Sequence, residues 1–141
     1  MQRIVAPCLL SALLVGCSTS AVPTDKARQV GADKVYSYQA PPATPYGTLT
    51  VVRGSGFISA GCDMGIYVDG KLVAKLAAKE KATFKIPAGE IILGAGVIGN
   101  GLCSTAAERR EREVTLSAGQ TKNYRVFISS EADVDILPST L

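Results

Sequence analysis

The sequence predicts an all-β fold, a small antiparallel β-sandwich held by one disulfide, and three observations carry that prediction. Apolar and polar residues alternate with a period of two in short runs at 48–53, 66–68, 84–86, 114–116 and 124–128, separated by turn residues at roughly the spacing of a sandwich. Asp69-Gly70 stands between two such runs, and an Asp-Gly pair marks a hairpin because a type I′ turn needs positive φ at both central residues. Cys62 and Cys103 form an even pair in a chain whose N-terminus reads as an export signal.

The first strand places Leu49 and Val51 inward and ends at Gly54-Ser55-Gly56, after which Phe57-Ile58 leads into a turn-like stretch, Ser59 to Asp63. Ile66 and Val68 alternate around Tyr67 and run into Asp69-Gly70. Residues 72–82 are rich in helix-forming Leu, Ala, Lys and Glu, and Leu72 and Leu76 have helical spacing. A strand through Leu76 is preferred, because a helix there leaves the first hairpin arm without a mate. Lys79-Glu80-Lys81 then forms a polar turn. Phe84 and Ile86 alternate, Pro87-Ala88-Gly89 reverses the chain, and Ile91 and Leu93 continue the pattern. Residues 100–104 read as a loop carrying Cys103, Thr105-Ala106-Ala107-Glu108 has capping-box spacing, and 108–113 mixes both charge signs as a solvated segment does. Val114 and Leu116 begin a strand, Ala118-Gly119-Gln120 turns, residues 124–128 make another, and Val134, Ile136 and Leu137 make a short edge strand stopped by Pro138.

At the N-terminus, Arg3 precedes an apolar run at 4–15. That run is too short to span a bilayer, which takes about 20 residues, and has the length of a secretory signal. Leu14-Val15-Gly16-Cys17 resembles the lipobox of bacterial lipoproteins. The resemblance implies removal of residues 1–16, thioether lipidation of Cys17 and acylation of its new amino group. Three acyl chains exceed the two signals that stable anchoring requires. In that class an Asp after the Cys retains the protein in the inner membrane, so Ser18 implies the outer membrane.

Residues 17–46 carry Pro23, Pro41, Pro42 and Pro45 and few aliphatics. They are expected to form a lipid-anchored tether reaching about 30 Å if flexible and about 90 Å if extended. Tyr36, Tyr38 and Tyr46 are unusual in a spacer; docking on the domain is the preferred account, and a partner-binding strip is the other. The globular domain is expected at 47–141.

The net charge of +3 is too small and too dispersed for a nucleic-acid footprint. Of the four Cys, Cys8 leaves with the signal and Cys17 takes lipid, so Cys62 and Cys103 are expected to pair, as exported cysteines do. Redox thiols usually come as Cys-x-x-Cys and structural zinc takes four ligands, so a structural bridge is the better reading.

Few residues carry a chemical signal. Gly94-Ala95-Gly96-Val97-Ile98-Gly99 matches a Gly-x-Gly-x-x-Gly string after a strand, but the dinucleotide fingerprint needs a helix next, and Asn100-Gly101-Leu102-Cys103 follows. Glycines that permit close packing explain it better, and no cofactor is expected. The absence of His removes the commonest general base and both Ser-His-Asp and Cys-His engines. Asp133 and Asp135 share a strand face as paired carboxylates do, though a solvated edge accounts for them. No cluster points to a metal, and the reading is non-enzymatic.

The run 66–76, with Asp69-Gly70-Lys71 at its turn, followed by Phe84-Lys85-Ile86-Pro87-Ala88-Gly89, resembles the PEGA-like domains of uncharacterised bacterial lipoproteins. Leu116-Ser117-Ala118-Gly119-Gln120-Thr121-Lys122-Asn123-Tyr124 resembles their second strand pair. The resemblance covers about 47–129 and implies an immunoglobulin- or transthyretin-like sandwich on a lipid anchor, with Ala88 where the family often has a second Pro. The expected role is an outer-membrane lipoprotein facing the periplasm, acting as a non-catalytic binding or envelope-assembly module with a protein partner at a loop end or sheet edge. The alternatives are an accessory lipoprotein of a secretion complex and an inhibitor of an envelope-targeting enzyme such as lysozyme.

Overall fold

The computed structural model describes residues 20–56, 61–105 and 108–141. It is all-β: two antiparallel-rich sheets face each other across one core. The strands are β1 (Arg28–Gln29), β2 (Tyr46–Arg53), β3 (Asp63–Val68), β4 (Lys71–Leu76), β5 (Glu80–Pro87), β6 (Gly89–Ile98), β7 (Arg110–Leu116), β8 (Thr121–Ile128) and β9 (Val134–Pro138). One sheet has the order β1-β5-β2-β8-β9, the other β4-β3-β6-β7. Two pairs depart from the antiparallel expectation: β1 runs parallel to β5, and β2 runs parallel to β8.

Period-two alternation builds the core. Leu49, Val51, Phe84, Ile86, Val126 and Ile136 face Met64, Ile66, Leu76, Leu93, Val114 and Leu116 from the two inner faces, and all are buried. The filling is mainly aliphatic, with Phe84 the largest fully buried side chain. The Asp69-Gly70 turn has φ of +49° and +79°, as a two-residue hairpin loop needs for its twist to match the strands. Asp69 also fastens this turn sideways, since its Oδ1 accepts the Ile92 amide at 2.8 Å. The ambiguous segment after it is strand β4, not helix. A register shift between Ile66 and Tyr67 leaves Val73 as a bulge, and Leu76 ends the strand. Lys79, at φ +64°, makes the turn into β5. Pro87 ends β5 and Gly89 opens β6, so the expected turn there carries the chain from one sheet to the other.

The segment expected as a tether at 17–46 needs correction from Ser20 onward, because it lies on the domain. Ser20 exchanges two backbone hydrogen bonds with Ser55 at 2.9 and 3.1 Å. Arg28 and Gln29 pair with Glu80 and Lys81 along β5, and Val30 is buried in the core at 4% exposure. After the 3₁₀ turn Ala32–Lys34, Val35 bridges Ala74, and the Tyr36 amide donates to the bulged Val73 carbonyl at 2.9 Å. Tyr38 packs against the core and its carbonyl accepts the Lys85 amide. Tyr46 opens β2. The prolines break helix and strand continuity, but the unpaired edges of β4 and β5 supply backbone partners that a local reading cannot see.

The leader, Cys17, the 57–60 stretch and residues 106–107 of the expected capping box lie outside the described residues.

Candidate functional site

One end of the sandwich gathers the charged and cross-linked residues. Arg53 has the same strand parity as Leu49 and Val51, so it points inward, and it is 3% exposed. Its Nη1 donates to the Cys62 carbonyl at 2.6 Å and to the Leu76 carbonyl at 2.7 Å. The guanidinium thus ties the end of β2 to the start of β3 and the end of β4. Burial pulls its pKa down, against the opposing pull of Asp63 and Glu80. Glu80, in the expected polar turn, is instead buried at the start of β5. Burial raises its pKa, but the Ala77 amide at 2.8 Å and the Arg28 guanidinium at 2.9 Å outweigh that and hold it below the ordinary value. Alternation from Leu49 could have located Arg53; Glu80 gave no signal, because only β1 brings Arg28 to it.

Cys62 and Cys103 are joined by a disulfide, with Cα atoms 5.6 Å apart. It links the β2–β3 and β6–β7 connections across this end. Gly99 belongs to the same arrangement: at φ +142° its added Cβ would lie 2.8 Å from the Cys103 Cβ. The other glycines of that string serve the outer face of the four-stranded sheet. A Cβ on Gly94 would meet the Tyr67 Cβ at 3.1 Å, and one on Gly96 would meet Arg109 at 3.4 Å. In the room they leave, the Arg109 guanidinium stacks on the Tyr67 ring, 4.5 Å from its centroid. β6 continues to Ile98, and the 3₁₀ turn Gly101–Thr105 follows where a dinucleotide site would need a helix. Leu102 in that turn is 90% exposed.

The sheet edges are treated unequally. The N-terminal segment covers β4 and β5. On β9, the Ile136 amide is taken by the Asp135 carboxylate at 2.8 Å, the Val134 carbonyl by Arg110 Nε at 3.2 Å, and Pro138 has no amide hydrogen. Among the described residues β7 pairs on one side only, with β6. It carries Arg110 and Arg112 in the parity of the buried Val114 and Leu116, and Glu111 and Glu113 in the outward parity. The segment at 108–113 is exposed, as expected of a solvated segment, and is strand from Arg110 on.

Asp133 and Asp135 have different surroundings. Asp135 is committed to the Ile136 amide, whereas Asp133 lines a hollow of about 300 Å³ with Glu108, Arg109, Arg110 and Val134. A more open hollow of about 700 Å³ is lined by Pro42, Pro45, Tyr46, Thr48 and Gly119 at the opposite end. Among the described residues, no three His, Cys, Asp or Glu side chains converge as metal ligands, and no helix is long and apolar enough to cross a membrane. Set against known proteins, the chain matches no protein-family model and no curated sequence.

Proposed function

We propose that the chain is an outer-membrane lipoprotein, anchored through Cys17 and facing the periplasm, whose sandwich is a non-catalytic binding or envelope-assembly module. The lipobox-like Leu14-Val15-Gly16-Cys17 supports the anchor, and the PEGA-like turn and strand motifs support the class. One observation carries the binding role. Among the described residues, the chain closes the edges of β4, β5 and β9 with its own groups and leaves β7, seven residues long, paired on one side. An added strand from a partner would complete its backbone hydrogen bonds.

The charge pattern bears on what kind of strand this is. In a symmetric antiparallel pairing of β7 with its own copy, residues of equal parity face each other. In the registers centred on Glu111 and on Arg112, Arg112 would oppose an arginine and Glu111 a glutamate, which is destabilising. Self-association in those two registers is disfavoured, and a different protein is the partner proposed, as for an accessory lipoprotein of an envelope complex. Two measurements test the reading. Intact mass of the detergent-extracted protein should start at Cys17 with three acyl chains and gain two hydrogen atoms on treatment with a thiol reductant. A photo-crosslinking residue at Glu113 should then capture one envelope protein that the same residue at Asp135 does not. An unlipidated mass, or equal capture from both strands, overturns it.

A further inference from the structure

We infer that the disulfide-linked end of the sandwich lies against the lipid surface, with Leu102 at the contact. The inference rests on lipidation of Cys17 and goes beyond it, because the structure converts an anchor into an orientation. Ser20 is held by two backbone hydrogen bonds to Ser55, just past the end of β2. Between Cys17 and Ser20 the chain advances three residues, a reach of at most about 11 Å. The expected tether of tens of ångströms is thereby used up in covering the β4 and β5 edges, and the anchor leaves the domain at one defined end.

The same end carries Leu102. Ser55 is two residues from Arg53, Arg53 binds the Cys62 carbonyl, and Cys62 is bonded to Cys103, the neighbour of Leu102. The opposite end, with the Asp69-Gly70 turn, is one strand length away, about 26 Å for an eight-residue strand such as β2. An anchor reach less than half that length brings the Ser55 end to the bilayer and directs the Asp69-Gly70 end into the periplasm. A nearly fully exposed leucine at the tip of a covalently braced turn suits insertion among headgroups, where removal of its apolar surface from water is favourable. The occupant of this surface is a lipid bilayer, and β7 stands upright on it, its edge open to partners along the membrane normal.

The test exploits the absence of Trp from the chain. Leu102→Trp and, separately, Lys71→Trp give single reporters at the two ends, both at exposed positions. Each lipidated full-length protein is reconstituted into phosphatidylethanolamine/phosphatidylglycerol vesicles, with and without brominated acyl chains. Insertion should shift the indole emission of the Leu102→Trp protein to the blue, and bromolipid should remove roughly half of it, since Trp settles readily at headgroup depth. The emission of the Lys71→Trp protein should be the same in both kinds of vesicle, which also controls for the affinity of the indole itself. Equal quenching in the two variants, or none in a Leu102→Trp protein whose mass carries the acyl chains, overturns the orientation alone. A mass without acyl chains on Cys17 overturns the anchor, and the orientation with it.

Discussion

Val30→Ala probes directly whether residues 20–46 belong to the folded domain. Val30 is 4% exposed and lies in the main core cluster, two residues after the Arg28–Glu80 pairing. Truncation removes two methyl groups, about 1.6 kcal/mol by transfer, and a partly relaxed cavity brings the loss to about 2 kcal/mol. For a domain of this size, the entropy of unfolding converts that to about 8 °C in Tm. The assay is reversible thermal unfolding of the protein by circular dichroism, with amide exchange followed at the Val30 and Tyr36 amides, which bond to Lys81 and Val73. Both amides should exchange faster in the variant. A Tm within about 1 °C of the parent, with both amides already exchanging as fast as in an unfolded chain, would refute the docking and restore a free tether.

Other outcomes follow from the same end of the sandwich. Cys62→Ser with Cys103→Ser opens a loop of 41-residue separation, and chain entropy assigns about 4 kcal/mol to its closure; denaturant unfolding of the oxidised and doubly substituted proteins measures the difference. Glu80→Gln should cost about 1 kcal/mol at neutral pH, because it loses the ionic part of two hydrogen bonds, one of them to a largely exposed Arg28. The native Glu80 pKa is lowered, so its stabilisation is present above the ordinary carboxylate range and is lost as the pH falls through the native value. Parent and variant should therefore converge in stability as the pH falls through the native value, below the ordinary carboxylate range; a gap that does not narrow as the pH falls contradicts the assigned protonation.

How much of this was legible in the sequence depends on the range of the interaction. Local signals were sufficient where a residue's own backbone preference decides the outcome. Asp69-Gly70 dictates its turn because positive φ is needed there, and the alternation around Leu49, Phe84 and Val126 dictates strands because a period of two puts those apolar side chains on one face. Setting aside Cys8 and Cys17, as a signal and a lipobox would, left Cys62 and Cys103 to pair, and they are joined. The resemblance-based readings, lipid on Cys17 above all, belong to the sequence alone.

Only the tertiary structure decided what fills each edge. Residues 20–46 look like a spacer because they have no periodicity of their own, yet the open backbones of β4 and β5, far along the chain, give them hydrogen-bond partners and bury Val30. The parity of Leu49 and Val51 turns Arg53 inward, but only folding brings the Cys62 and Leu76 carbonyls that satisfy it, and Glu80 reads as a turn residue until Arg28 arrives from β1. The glycines at 94, 96 and 99 mimic a phosphate loop in one dimension; in three they make room for Tyr67, Arg109 and Cys103. A sequence specifies its strands through contacts between near neighbours, but sheet edges and buried charges are settled by groups that only folding brings together.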